Sequence, residues 1–150
     1  MGKLIYLCIF LLISKTSFSQ NINLIIKVNE KLLNGEISNI RLEFQSGKFL
    51  LVNYYPGDLI LNDEAWKTIQ KENTDKFSLR FEYNTFKKEQ HEVVDFNIPL
   101  NKALLNQPYI IIDIFDFRDK KYKHWYQWHT NENYLVQLTF PGSGLYIRKR

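Results

Sequence analysis

The sequence predicts an all-β chain folded as a two-layer antiparallel β-sandwich with one short helix. Three observations carry that expectation. Apolar and polar residues alternate at period two over most of residues 20–140, the mark of strands with one buried face. Turn-forming pairs interrupt the alternation at Asn34-Gly35, Ser46-Gly47, Pro56-Gly57 and Pro141-Gly142, each suited to a tight reversal. Most connections between the predicted strands are shorter than the roughly twelve residues a parallel crossover needs. A small closed barrel is the alternative, because closure also hides strand edges.

Residues 1–19 read as a signal peptide and residues 20–150 as a single β-sandwich domain. Lys3 precedes an apolar run over residues 4–13, and a polar stretch follows. That order is the order of a secretory leader, and the run is far short of the roughly 20 residues that span a bilayer. Ser17 and Ser19 supply small side chains before a cut near Ser19-Gln20. Tyr6 and Leu7 ahead of Cys8 do not make a lipoprotein signal. Cleavage predicts a periplasmic or secreted product without Cys8, the only cysteine, so no disulfide supports its core. Losing Lys3 and Lys15 lowers Lys plus Arg from 20 to 18 against an unchanged 16 Asp plus Glu, and the formal charge falls from +4 to +2.

Ile22, Leu24, Ile26 and Val28 form the buried face of a first strand, and Asn34-Gly35 offers the first tight reversal. The second strand, residues 37–44, turns Ile40, Leu42 and Phe44 inward, and Ser46-Gly47 closes its hairpin. Residues 48–55 read as one strand with Leu50, Val52 and Tyr54 on one face and Phe49, Leu51 and Asn53 on the other. Apolar groups on both sides predict a central or covered strand. Pro56-Gly57-Asp58 ends it. Asn62 or Asp63 caps a helix through Glu72 with Ala65, Trp66 and Ile69 on one side. Phe77, Leu79, Phe81 and Tyr83 mark the fourth strand. The fifth carries Val94, Phe96 and Ile98 inward, and Pro99 stops it. Residues 101–105 suit a single helical turn. The sixth strand, residues 109–117, alternates Ile110, Ile112 and Ile114. A seventh is predicted at residues 122–128, an eighth at residues 134–140 and a short last one at residues 145–148. The architecture is immunoglobulin-like or transthyretin-like in outline, although the Cys…Trp…Cys pattern of true immunoglobulin domains is absent.

Motifs for chemistry are sparse. His91, His124 and His129 are the only histidines, and no zinc spacing joins them. Gly142-Ser143-Gly144 lacks a nucleophile elbow and a downstream histidine, so it reads as a turn. Asp113, Asp116 and Asp119 are spaced by three, but without the glycine and terminal glutamate of a calcium loop. A carboxylate-dependent hydrolase would need Asp113, Asp95 or Glu82 gathered in a pocket. The aromatic run is the candidate binding surface: Tyr122, His124, Trp125, Tyr126 and Trp128, with Lys123 and Gln127 between them.

These features predict a non-enzymatic exported domain that binds another envelope or secreted protein, with no cofactor and no metal. A small carbohydrate-binding module is the first alternative and the hydrolase the second. Mixed charge argues against nucleic acid. Arg148-Lys149-Arg150 with Lys120, Lys121 and Lys123 offers a peripheral contact with anionic lipid. The mature chain is predicted to carry no transmembrane segment.

Overall fold

The computed structural model describes residues 20–72, 75–87, 89–123 and 133–144. The predicted leader, the aromatic run after Lys123 and the predicted last strand lie outside them. Two packed β-sheets form a two-layer sandwich.

The six-stranded sheet is built on β1 (Gln20–Val28). Its Ile22, Leu24, Ile26 and Val28 are all buried, as their alternation requires. Two antiparallel neighbours share one side of β1: β2 (Lys31–Leu32) and β6 (Gly57–Leu61). β5 (Asn53–Tyr55) pairs outside β6. On the other side lies β9 (Ile110–Asp116), and β10 (Tyr134–Thr139) pairs outside it. The four-stranded sheet has the order β4 (Phe49–Leu51), β3 (Ile37–Phe44), β7 (Lys76–Lys87) and β8 (Gln90–Asn101). Leu42, Phe44, Phe77, Leu79, Phe81, Phe96, Ile98 and Leu100 from this sheet meet the isoleucines of β1 and β9 in one core.

Among the described residues there are three helical segments rather than one; the first two connect the sheets and the third links two strands of the six-stranded sheet. α1 (Asp63–Lys71) starts where Asn62 Oδ1 accepts the Ala65 N–H at 2.7 Å, and it buries Ala65 and Ile69 with Trp66 packed beside them. α2 (Lys102–Leu105) is the predicted single turn, capped by Asn101. α3 (Lys120–Lys123) replaces the start of the predicted seventh strand. The charged turn tightens there because Asp119 accepts the Lys121 N–H through its side chain and the Tyr122 N–H through its carbonyl.

Several expectations are corrected by the topology. β1 and β9 run parallel, Leu24 beside Ile110 through Val28 beside Ile114, so the sandwich is mixed. The connection between them is not a short crossover but the whole intervening chain, including the second sheet. The predicted strand over residues 48–55 divides at Val52. β4 pairs with β3 in one sheet and β5 with β6 in the other. It is an edge of both sheets, with Phe49 and Leu51 exposed rather than covered. The strand β6 begins at Gly57, directly after Pro56, and went unpredicted. An earlier tight reversal, not predicted, falls at Asn29-Glu30, both at positive φ, between the paired Val28 and Lys31, and the predicted turn follows at residues 34–36.

Pro99 does not end its strand. Lys102 N–H donates to the Asp75 carbonyl at 3.0 Å, and the same register sets Asn101 opposite Lys76 and Pro99 opposite Ser78. Antiparallel pairs alternate between bonded and unbonded. Leu100, Ile98, Phe96, Val94 and Glu92 therefore bond to β7. Pro99 turns its nitrogen to the outer side, where the missing N–H breaks no ladder bond.

Candidate functional site

Among the described residues the sandwich is closed along one side and open along the other. The β4–β5 strand passes from sheet to sheet and seals one side. On the opposite side the edges of β8 and β10 face each other without a shared strand. Phe96 of β8 and Tyr134 of β10 meet there edge to face, with ring centres 5.1 Å apart. Those rings floor a seam that has a charged clasp at one end and a cavity at the other.

Both edges expose main-chain hydrogen-bonding groups. By the alternation that frees Pro99, His91, Val93, Asp95 and Asn97 also point their N–H and C=O groups away from β7. On β10, Phe117 N–H donates to the Asn133 carbonyl at 2.8 Å, so Leu135, Gln137 and Thr139 bond to β9 while Tyr134, Val136 and Leu138 face outward. Among the described residues no strand pairs with either outward side.

The clasp is built on Arg118. Asp116 accepts its Nε and Nη2 at 2.9 Å each. Glu92 of the other sheet accepts Nη1 at 2.6 Å, and Nη2 also donates to the Tyr134 hydroxyl. These charge-assisted bonds hold the guanidinium firmly protonated. Burial pushes the Tyr134 phenol up to about 12, with Asp116 adding to the shift and Arg118 opposing it. The clasp spans the two sheets and sits beside a shallow recess of about 250 Å³ lined by Asn29, Tyr83 and Phe86.

At the other end lies a cavity of about 910 Å³. Phe44, Phe77, Leu100, Leu104, Leu138 and Phe140 form its apolar walls, with Glu43, Asp75, Lys76 and Lys102 among its polar lining. Its size falls within the range of ligand pockets, roughly 300–1,000 Å³. α2 forms part of one wall. Lys102 Nζ donates to the Glu72 carbonyl at 2.6 Å, and Lys48 pairs with the Glu72 carboxylate at 3.1 Å, which ties the end of α1 to the same region.

The predicted site residues separate. Tyr122 lies in α3, is buried and packs on Phe115 with ring centres 5.4 Å apart. His124, Trp125, Tyr126 and Trp128 lie outside the described residues. His91 is exposed at a strand end, its ring tilted against Phe86 with centres 5.3 Å apart and Nε2 3.2 Å from Asn84 Oδ1. The hydrolase carboxylates are not gathered. Glu82 and Asp95 face each other across β7 and β8 on the outer surface. Asp95 is bonded to Arg80 at 2.7 Å and Glu82 accepts from Ser38 and Asn39, whereas Asp113 pairs with Lys27 in the other sheet at 3.6 Å. Asp116 serves the clasp and Asp119 serves the α3 turn. Ser143 Oγ donates to the Phe140 carbonyl at 2.6 Å and its oxygen accepts the Phe140 N–H, the bonding of a turn residue. No group of three or more His, Cys, Asp or Glu side chains suited to a metal occurs among the described residues, and no described helix is long and apolar enough to cross a membrane.

Sequence reasoning missed the seam. Its one local signal is Pro99 inside an otherwise regular alternation, which marks an edge strand. Comparison with protein-family models, curated proteins and solved structures finds no match for this chain.

Proposed function

We propose that this is a non-enzymatic, exported protein-binding domain that receives its partner along the open seam between β8 and β10. One observation carries the reading: two strand edges whose outward main-chain groups pair with no strand among the described residues flank an apolar cavity of about 910 Å³ on the same side of the sandwich. Unpaired edges are templates for pairing with another chain, and strand addition is a recurring mode of peptide recognition; apolar cavity walls gain from leaving water. Export follows from the leader-like residues 1–19. The sugar-binding alternative asks for rings sharing one plane. Among the described residues the large exposed rings are Phe49 and Tyr55 on the crossing β4–β5 strand, Phe86 on β7 and Tyr109 just before β9.

Photo-crosslinking tests the proposal. A photoreactive residue at Leu138 or Val93 is expected to capture the same protein from the envelope or secreted fraction of the producing cell. One at Leu51, on the sealed side, is expected to capture none. Equal capture from Leu51, or none from the seam positions, contradicts the proposal.

A further inference from the structure

We propose that the partner is an extended, largely uncharged peptide segment that adds to β8 as a fifth strand of the four-stranded sheet; this rests on the seam reading above and specifies its mode. β8 differs from every other edge among the described strands. It is 12 residues long and keeps one unbroken register against β7 from Lys76 beside Asn101 to Lys87 beside Gln90. The edges β4 and β5 have three residues each and belong to one crossing strand, and β10 has six. Sheet proteins blunt long edges with charged side chains, lysine above all, with prolines, bulges or extreme shortness, and on β8 the proline stands only at the far end, at Pro99. The outward positions of β8 are His91, Val93, Asp95, Asn97 and Pro99. None is a lysine, no register shift interrupts them, and the single charge, Asp95, is already matched by Arg80.

The chemistry of that edge selects its occupant. Four residues in a row at period two offer an N–H and a C=O each, repeating about every 6.8 Å, the two-residue step of an antiparallel strand. The main chain of another strand reproduces that spacing, and a compact solute does not. Pro99 ends the donor row because it has no N–H, so pairing runs over residues 91–97 with the Pro99 carbonyl as a last acceptor. Side chains of β8 alternate from the core (Phe96, Ile98) to the outer face (Asp95, Asn97). An added strand follows the same pleat. Its alternate side chains turn toward the seam and the cavity walls Leu100, Leu104, Leu138 and Phe140, which favour apolar groups.

The probe is a phage-displayed library of random dodecapeptides selected on the full protein, followed by synthesis of the enriched sequence. Enriched peptides are expected to alternate apolar residues at period two and to slow hydrogen exchange at the amides of His91, Val93, Asp95 and Asn97. Val93→Pro and Asn97→Pro each delete one outward N–H that has no role in the β7 ladder, as Pro99 already does. Each is expected to weaken peptide binding by about tenfold or more, whereas Val93→Ala, which keeps the N–H, is expected to change it by less than about threefold. Three results overturn strand addition: bound peptide that leaves those amides unprotected, prolines that leave affinity unchanged, or failure to enrich any peptide. Concentration-dependent protection of the same amides without peptide, together with a doubled mass, also overturns it in favour of a second copy. The seam reading is decided separately, because crosslinking from Leu138 does not depend on β8 pairing.

Discussion

Tyr54 shows how one side chain completes a sheet. Along one side of β1, pairing with β6 ends at Leu24 and pairing with β2 begins at Lys27. Ile26 lies in the gap. Leu33 N–H reaches its carbonyl at 2.9 Å, and its N–H donates to the Tyr54 hydroxyl at 3.1 Å. Burial pushes the Tyr54 phenol up, and the Ile26 bond partly opposes this. Tyr54→Phe leaves the Ile26 N–H unpaired and is expected to cost about 1–3 kcal/mol in urea unfolding; an unchanged midpoint contradicts this role. Tyr134 makes a pH-dependent contribution. Its phenol is pushed from the ordinary 10.0 to about 12, so the folded state holds the neutral form after the unfolded state has ionised. The resulting stabilisation is full below about pH 10 and is lost as pH rises toward about 12. Near-ultraviolet titration is expected to show a late phenol that Tyr134→Phe removes.

Element by element, the sequence was readable where the signal is local. β3 spans the predicted residues 37–44, Asn62, one of the two predicted caps, caps its helix, the helical turn predicted over residues 101–105 forms at Lys102–Leu105, and Ser46-Gly47 closes its hairpin with Gly47 at positive φ. Non-local choices were not readable. The alternation Leu50, Val52, Tyr54 continues smoothly across the change of sheet, so nothing in residues 48–55 announces that the strand serves two partners. β1 and β9 pair in parallel across more than 80 residues of chain, and each isoleucine face suits either direction. β6 was hidden because residues 57–61 are wedged between a turn and a helix cap. The seam was equally invisible, since an open edge is a property of what fails to pair. The β5–β6 turn is the element most dependent on one residue. Tyr55 pairs with Asp58, which leaves Pro56 and Gly57 as the two turn residues, with Gly57 at φ +102°. A Cβ at Gly57 meets no atom within 4 Å, so the penalty for Gly57→Ala is conformational. It is expected to be about 1–3 kcal/mol by thermal or denaturant unfolding.

At the scale of the whole molecule, the asymmetry between sides is the organising feature. A shared strand seals one side, and the other is held by the Arg118 clasp at one end and left apolar at the other. Arg118→Met removes the bonds to Asp116, Glu92 and Tyr134. It is expected to cost about 1–2 kcal/mol, because the groups are only partly shielded from water. The measurement that tests the open edge most directly is residue-resolved hydrogen exchange along β8 in the free protein. Amides of Glu92, Val94, Phe96, Ile98 and Leu100 are expected to exchange slowly and those of His91, Val93, Asp95 and Asn97 rapidly, in strict alternation. Slow exchange at both sets would mean that β8 is already paired on its outer side, and would contradict the open seam.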